Sequence, residues 1–276
     1  MLDRRWMLGV LRLEREQLGR TIQYVPPETW GNESPFEGWS IRQVLAHLAA
    51  GEAAGAAIIG DEAASEVEEY RKGLGPADAF DPKEFHRSAV QKRDELSWIE
   101  LAAEWGRAAD LLLSRASELS EDDWGTKVLP WIGGDLKAGY LAQARVAEWW
   151  VHGEDIRAGA GLPPRREHPP IFCTNDLAVR LIPFALAAEG HEFKGASVGI
   201  ELEHVGEGTW HQSLDHGGDV PTEKKPDAWI TGRAHAFALV AAERADVDVC
   251  LYDGVLNVGG DPEIGETVLR SLRAYV

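Results

Sequence analysis

Ala144-Arg145-Val146-Ala147-Glu148-Trp149-Trp150-Val151-His152-Gly153-Glu154-Asp155-Ile156-Arg157 is the stretch on which the fold turns. It holds no proline, and its apolar residues recur at the three-to-four spacing of a helix. Glu148 and His152 stand four apart, so they project from one face, one turn from each other. They lie along the edge of the stripe Tyr140, Leu141, Ala144 and Val151, which predicts that they point into a helical bundle. A carboxylate and an imidazole inside a bundle are costly unless paired or bound to metal. An i, i+4 Glu/His pair is a natural clamp for a metal ion, although the same spacing also occurs on exposed helices.

The flanking sequence supplies the rest of such a bundle. Helix-period apolar positions cover residues 2–23 and end at Pro26-Pro27. Ser40-Ile41-Arg42-Gln43 is a capping box that opens a helix towards Ile58, and Ser97-Trp98-Ile99-Glu100 opens another to about Leu119. Gly133-Gly134-Asp135 precedes a fourth helix, from Leu136 to about Ala158, stopped by Gly159, Gly161 and Pro163-Pro164. Four long helices read as an antiparallel bundle over residues 1–163. His47, beside the Val44/Leu45/Leu48 stripe, is either a core histidine or a third ligand reaching across the bundle. Two imidazoles and a carboxylate suit Zn²⁺, and three protein ligands leave one position open, as catalytic sites do. Ni²⁺, Co²⁺ or Fe²⁺ would suit the same set. Residues 60–96 are acidic and interrupted by Gly and Pro, and they have no assigned place in this bundle.

Beyond Pro163 the pattern is mixed. Helices are predicted at 171–188, 234–244 and 262–274, and strands at 197–204, 208–213, 227–231, 247–252 and 254–258. Residues 164–276 thus read as a smaller α+β domain, and the fold class as mainly α plus α+β.

Composition excludes some functions. The 276 residues carry 46 acidic and 28 basic side chains, a formal charge of -18. The acidity is even, at -9 for residues 1–167 (29 acids, 20 bases) and -9 for 168–276 (17 acids, 8 bases). No basic stripe exists to neutralise nucleic-acid phosphates, and anionic membrane surfaces are disfavoured. No long uncharged apolar run predicts a membrane span, and the N-terminal residues read as amphipathic helix rather than signal peptide. Cys173 and Cys250, the two cysteines, cannot build a disulfide framework, which fits a cytoplasmic setting. Neither has a partner motif, so both are expected to be buried and inert.

The segment quoted first, together with Gly38-Trp39-Ser40-Ile41-Arg42-Gln43-Val44-Leu45-Ala46-His47-Leu48-Ala49, resembles the two signature segments of the mycothiol-dependent maleylpyruvate isomerase family. The resemblance extends, less specifically, through Ile230-Thr231-Gly232-Arg233 to Arg244 and Gly259-Gly260-Asp261. It implies a DinB-like four-helix metal-binding domain followed by a domain similar to sterol carrier protein 2. It also places the family's Zn ligands on His47, Glu148 and His152. The thiol it implies is mycothiol, the small-molecule thiol of actinobacteria. Activated by the metal, that thiol would attack a small electrophile such as maleylpyruvate, giving cis–trans isomerisation or an S-conjugate. Residues 60–96 match nothing in the family, which leaves the substrate open.

Other residues carry paired readings. Asp155 either orients a ligand histidine or is an exposed helix-end acid. Trp39, Trp131, Trp149 and Trp150 either wall a pocket or fill the core. Trp39, Trp149 and Asp155 are the candidate cofactor-binding residues. Arg145 pairs with an acid inside the bundle or is a surface cation. Arg244 is the candidate catalytic residue, holding an anionic substrate, set against a solvated helix-end arginine. His86, His204, His211, His216 and His235 lack ligand spacing to one another and read as surface or structural. Two other functions stay open: a metal-dependent hydrolase, which would need no thiol, and a non-catalytic protein that binds a small ligand in its second domain. Oligomeric state is not legible.

Overall fold

Both serine caps read from the sequence form. Ser40 accepts from the Gln43 amide while the Gln43 side chain accepts from the Ser40 amide, and Ser97 and Glu100 repeat the exchange. Such a cap stabilises a helix start by about 1 kcal/mol. The computed structural model describes residues 1–36, 38–62, 82–131, 134–215 and 224–274, with backbone only at 82–85 and 134. The chain divides into two units, one up to Arg165 and one from Arg166.

The first unit contains α1 (Arg4–Tyr24), α2 (Ile41–Ile59), α3 (Pro82–Gln91), α4 (Trp98–Glu118), α5 (Glu121–Thr126), the hairpin strands β1 (Val128–Trp131) and β2 (Gly134–Lys137), and α6 (Ala138–Gly159). The four long helices form a closed ring in which α1 packs on α6, α6 on α2, α2 on α4 and α4 on α1. Their directions correct the expectation of a simple antiparallel bundle. Arg15 pairs with Asp110 and Arg4 with the Ser117 carbonyl, so α1 and α4 are antiparallel. Gly159 lies against Ile41 and Gly55 against Arg145, so α2 and α6 are antiparallel as well. Yet Arg42 donates to the Leu96 carbonyl just before α4, and Arg115 near the end of α4 donates to Ala56, so α2 and α4 run parallel. The chain leaving α2 must therefore travel back along a helix about 28 Å long before α4 can begin. The segment 60–96 is that crossover. Its described part includes α3, which packs on α2; residues 63–81 lie outside the described residues.

Helix α6 is the central element. Seventeen of its 22 residues are buried, on every side and not along one stripe, because α1, α2, α5 and the hairpin all pack against it. It begins at Ala138, two residues later than expected, because Gly134–Lys137 is taken into the hairpin. A buried pair ties the end of this unit to α1: Glu14, fully enclosed, accepts two bonds of 2.8 Å from Arg165.

The second unit is an α+β arrangement of α7 (His168–Ala188), β3 (Ser197–Glu203), β4 (Gly208–Ser213), β5 (Ala228–Arg233), α8 (Ala234–Ala241), α9 (Val247–Tyr252), β6 (Leu256–Gly260) and α10 (Pro262–Ser271). The sheet order is β4-β3-β5-β6, with β3 and β5 parallel and the outer pairs antiparallel. The strand expected at 247–252 is a helix instead. Alternating Val247, Val249 and Leu251 mimic a strand, but the Asp246 side chain accepts from the Val249 amide and starts a helical turn. The next strand starts later than expected, at Leu256.

Helix α7 qualifies the expectation that no segment could span a membrane. It has 21 residues and an 18-residue window of mean hydropathy 1.4. However, 61% of that window is buried. Asn175 donates to the carbonyls of Gly206 and Ala234, and Asp176 accepts from the Trp210 indole at 2.9 Å. Polar side chains bonded within their own domain are the features of a core helix.

Candidate metal centre

Two turns into α2 the His47 side chain points at α6. There Glu148 and His152, one turn apart, face it. His47 Nε2 lies 3.1 Å from Glu148 Oε2, and His152 Nε2 lies 3.3 Å from the same oxygen. One ligand atom from each of the three residues lies within 4.8 Å of the others, and all three residues are buried. Two imidazoles and a carboxylate aimed at one point form a donor set that could hold a divalent transition metal. Among the described residues no other His/Cys/Asp/Glu group converges in this way.

The surrounding residues tune these donors. Asp155 Oδ2 lies 2.8 Å from His152 Nδ1, which fixes the ring and turns Nε2 towards the cluster. Burial works against the charged form of His152, but the bonds to Asp155 and Glu148 prevail and hold its pKa above the usual value. Burial also opposes the Glu148 carboxylate, yet His152, His47 and Arg145 together keep its pKa well below the ordinary range. His47 is shifted down, chiefly by burial, which favours the neutral, ligating imidazole.

Arg145 is inside the bundle rather than on the surface. Its Nη2 lies 3.4 Å from Glu148 Oε2 and its Nε lies 3.8 Å from Glu52 Oε1. Its guanidinium lies over the Trp131 ring, 5.3 Å from the centroid. Glycines on α2 make room for it: a Cβ at Gly51 would meet Arg145 Nη1 at 2.9 Å. Glu52 is fully enclosed, accepts from the Trp149 indole at 2.6 Å, and has a second carboxylate oxygen without a hydrogen-bond partner. Burial pushes its carboxyl up to about 7, against the opposing effects of Arg145 and Trp149. Nothing in the sequence pattern singled out Glu52, because its partner Trp149 is 97 residues away on another helix.

An aromatic cap covers the histidines. Trp39 meets His47 edge-on at 5.6 Å, Phe36 meets His152 at 5.4 Å, and the His86 ring stands perpendicular to His47 at 4.4 Å. His86, read from sequence as surface or structural, is thus brought to the cluster by α3. Burial and the neighbouring His47 push its pKa down to about 3. Its position was illegible because the crossover has no register with the bundle helices. Trp149 corrects the expectation of a cofactor-binding residue: it is 0% exposed, with its ring against Trp105 at 6.2 Å. It fills the core and anchors Glu52. Trp150 is likewise fully buried. Arg244 follows α8 in the second unit and donates to the Ala242 carbonyl at 2.7 Å. His204, His211 and His235 also belong to the second unit; His216 lies outside the described residues. Cys173 and Cys250 are buried and form no disulfide, and burial raises the Cys250 thiol.

Comparison with known proteins bears on the family and the fold. Two uncharacterised proteins, from two strains of Mycobacterium tuberculosis, are each 28% identical over 156 residues, 55% of this chain and 55% of theirs. The chain therefore spans about half the length of the curated relatives it matches. Two crystal structures of the mycothiol-dependent maleylpyruvate isomerase, one of them a histidine-to-alanine mutant, share the fold. Each has a TM-score of 0.59 and 18% identity, over 88% of this chain and 90% of the other. The family described as mycothiol maleylpyruvate isomerase N-terminal domain matches residues 11–157, which include His47, Glu148 and His152, and the chain belongs to that family.

Proposed function

We propose that this chain is a metal- and mycothiol-dependent enzyme that isomerises, or transfers sulfur to, a small electrophile. The observation that carries the reading is the convergence of His47, Glu148 and His152 within 4.8 Å, inside the family-matched span. These residues would hold the metal, Zn²⁺ by donor set, with Asp155 orienting His152 and Arg145 steadying Glu148. A metal held there supplies Lewis acidity, which favours loss of the proton from a thiol it binds. Fully buried Trp149 and Glu52 keep water from the inner side of the site. Trp39, half-buried beside His47, is placed to wall the pocket that receives the thiol.

We assign residues 1–163 to a DinB-like metal-binding domain and 164–276 to a domain similar to sterol carrier protein 2. Arg244 of the latter would hold an anionic substrate. The overall charge of -18 makes nucleic acid and anionic membranes unsuitable partners. Two buried cysteines outside any disulfide fit the cytoplasm. The test is a screen of small electrophiles, maleylpyruvate among them, with and without mycothiol, on protein of measured metal content. Turnover is expected with thiol and metal together. Turnover without thiol would replace this reading by a metal hydrolase, and protein that takes up no divalent metal would refute both.

A further inference from the structure

The two sides of the His47–Glu148–His152 cluster differ. On one side Glu52 and Trp149 are 0% exposed and Arg145 is 4% exposed, so nothing can approach there. On the other, Phe36, Trp39 and His86 are only half-buried. Of the two sides, that second one is the more exposed. His86 is the residue there whose side chain can both donate and accept hydrogen bonds through its ring nitrogens. Its ring centroid lies 4.4 Å from that of His47 at an interplanar angle of 87°, yet it is not one of the three residues whose ligand atoms converge.

We propose that His86 contacts the exogenous thiol of this site through an imidazole hydrogen bond and so helps to select it. The proposal rests on the metal–thiol reading above. It gives a chemical role to the crossover helix α3, which carries His86 onto α2. The position matters because three protein ligands would leave the metal's remaining contacts to whatever enters, and His86 stands against His47 on the more exposed side of the cluster.

The wild-type chain, His86→Ala, His86→Gln and His152→Ala would be loaded with Co²⁺. Metal stoichiometry would be measured first, and then binding of mycothiol followed through the cobalt absorption spectrum. His86→Ala is expected to keep the wild-type stoichiometry and to bind mycothiol about tenfold more weakly, the loss of one hydrogen bond. His86→Gln, which retains a donor and an acceptor, should recover part of that loss. If His86→Ala loses cobalt as His152→Ala does, His86 is a metal ligand and the proposal is wrong. Mycothiol affinity of His86→Ala within threefold of wild type would equally overturn it. If the wild-type protein takes up no cobalt, or its spectrum ignores mycothiol, the metal–thiol reading fails and this inference with it.

Discussion

Glu52 makes the stability of the metal-free protein depend on pH in a direction opposite to that of a salt-bridged acid. Its carboxyl, ordinarily at 4.5, is pushed up to about 7 by complete burial, with Arg145 and the Trp149 indole offsetting only part of the effect. Between those two pH values the unfolded chain has released the proton and the folded protein still holds it. The folded state then binds more protons, so stability falls as pH rises through this window. At about 1.4 kcal/mol per pH unit, the interval amounts to roughly 3 kcal/mol. Glu52→Gln removes the titration while keeping an oxygen for the Trp149 indole. Urea unfolding with a chelator present, at pH 4.5, 6 and 7.5, would compare the two proteins. The stability of the variant relative to wild type should rise by about 3 kcal/mol from the acid to the neutral end. A difference that stays constant to within about 1 kcal/mol would mean that Arg145 already compensates Glu52, and the argument from burial would fail.

Three further outcomes are expected. Asp155→Ala should weaken metal binding about 10–100-fold in a chelator competition, because His152 loses the acceptor 2.8 Å from Nδ1; unchanged affinity would show that the ring is held by packing alone. Calorimetry of Zn²⁺ binding near neutral pH, repeated in buffers of different ionisation enthalpy, should report proton release, since the raised pKa of His152 means that a metal displaces a proton from it. A binding heat independent of buffer would contradict this. Glu14→Gln should cost about 3–5 kcal/mol in chemical unfolding, because Arg165 is then left buried without its carboxylate; a loss under about 1 kcal/mol would show that water reaches Arg165.

The spacing of the candidate ligands Glu148 and His152 was legible because it is local. Glu148 and His152 share a helix, and the capping box at Ser40 sets where α2 starts and therefore which way His47 turns. The Ser97 cap and the proline and glycine stops likewise marked the helices with little error. The strand expected at 247–252 failed for a local reason too: β-branched alternation was weighed above the Asp246 cap. Arg145 and Trp149 show the limit of periodicity. On a helix buried all round, no face is polar, so the pattern cannot say which side chain meets the site and which meets the core.

The sequence by itself determined the helices, the boundary between a helical and a mixed half, and the shared face of Glu148 and His152, since each depends on neighbours within a few residues; His47 was placed beside them as a candidate ligand, rather than a core histidine, only through the family resemblance. Only the tertiary structure decided that α2 and α4 run parallel, that residues 60–96 must therefore cross the bundle, and that His86 arrives beside His47 while Glu52 waits behind Arg145. These relations join residues that are distant in sequence. They are set by which helix faces bury most surface against one another, and a helical period repeats the same stripe without naming its partner.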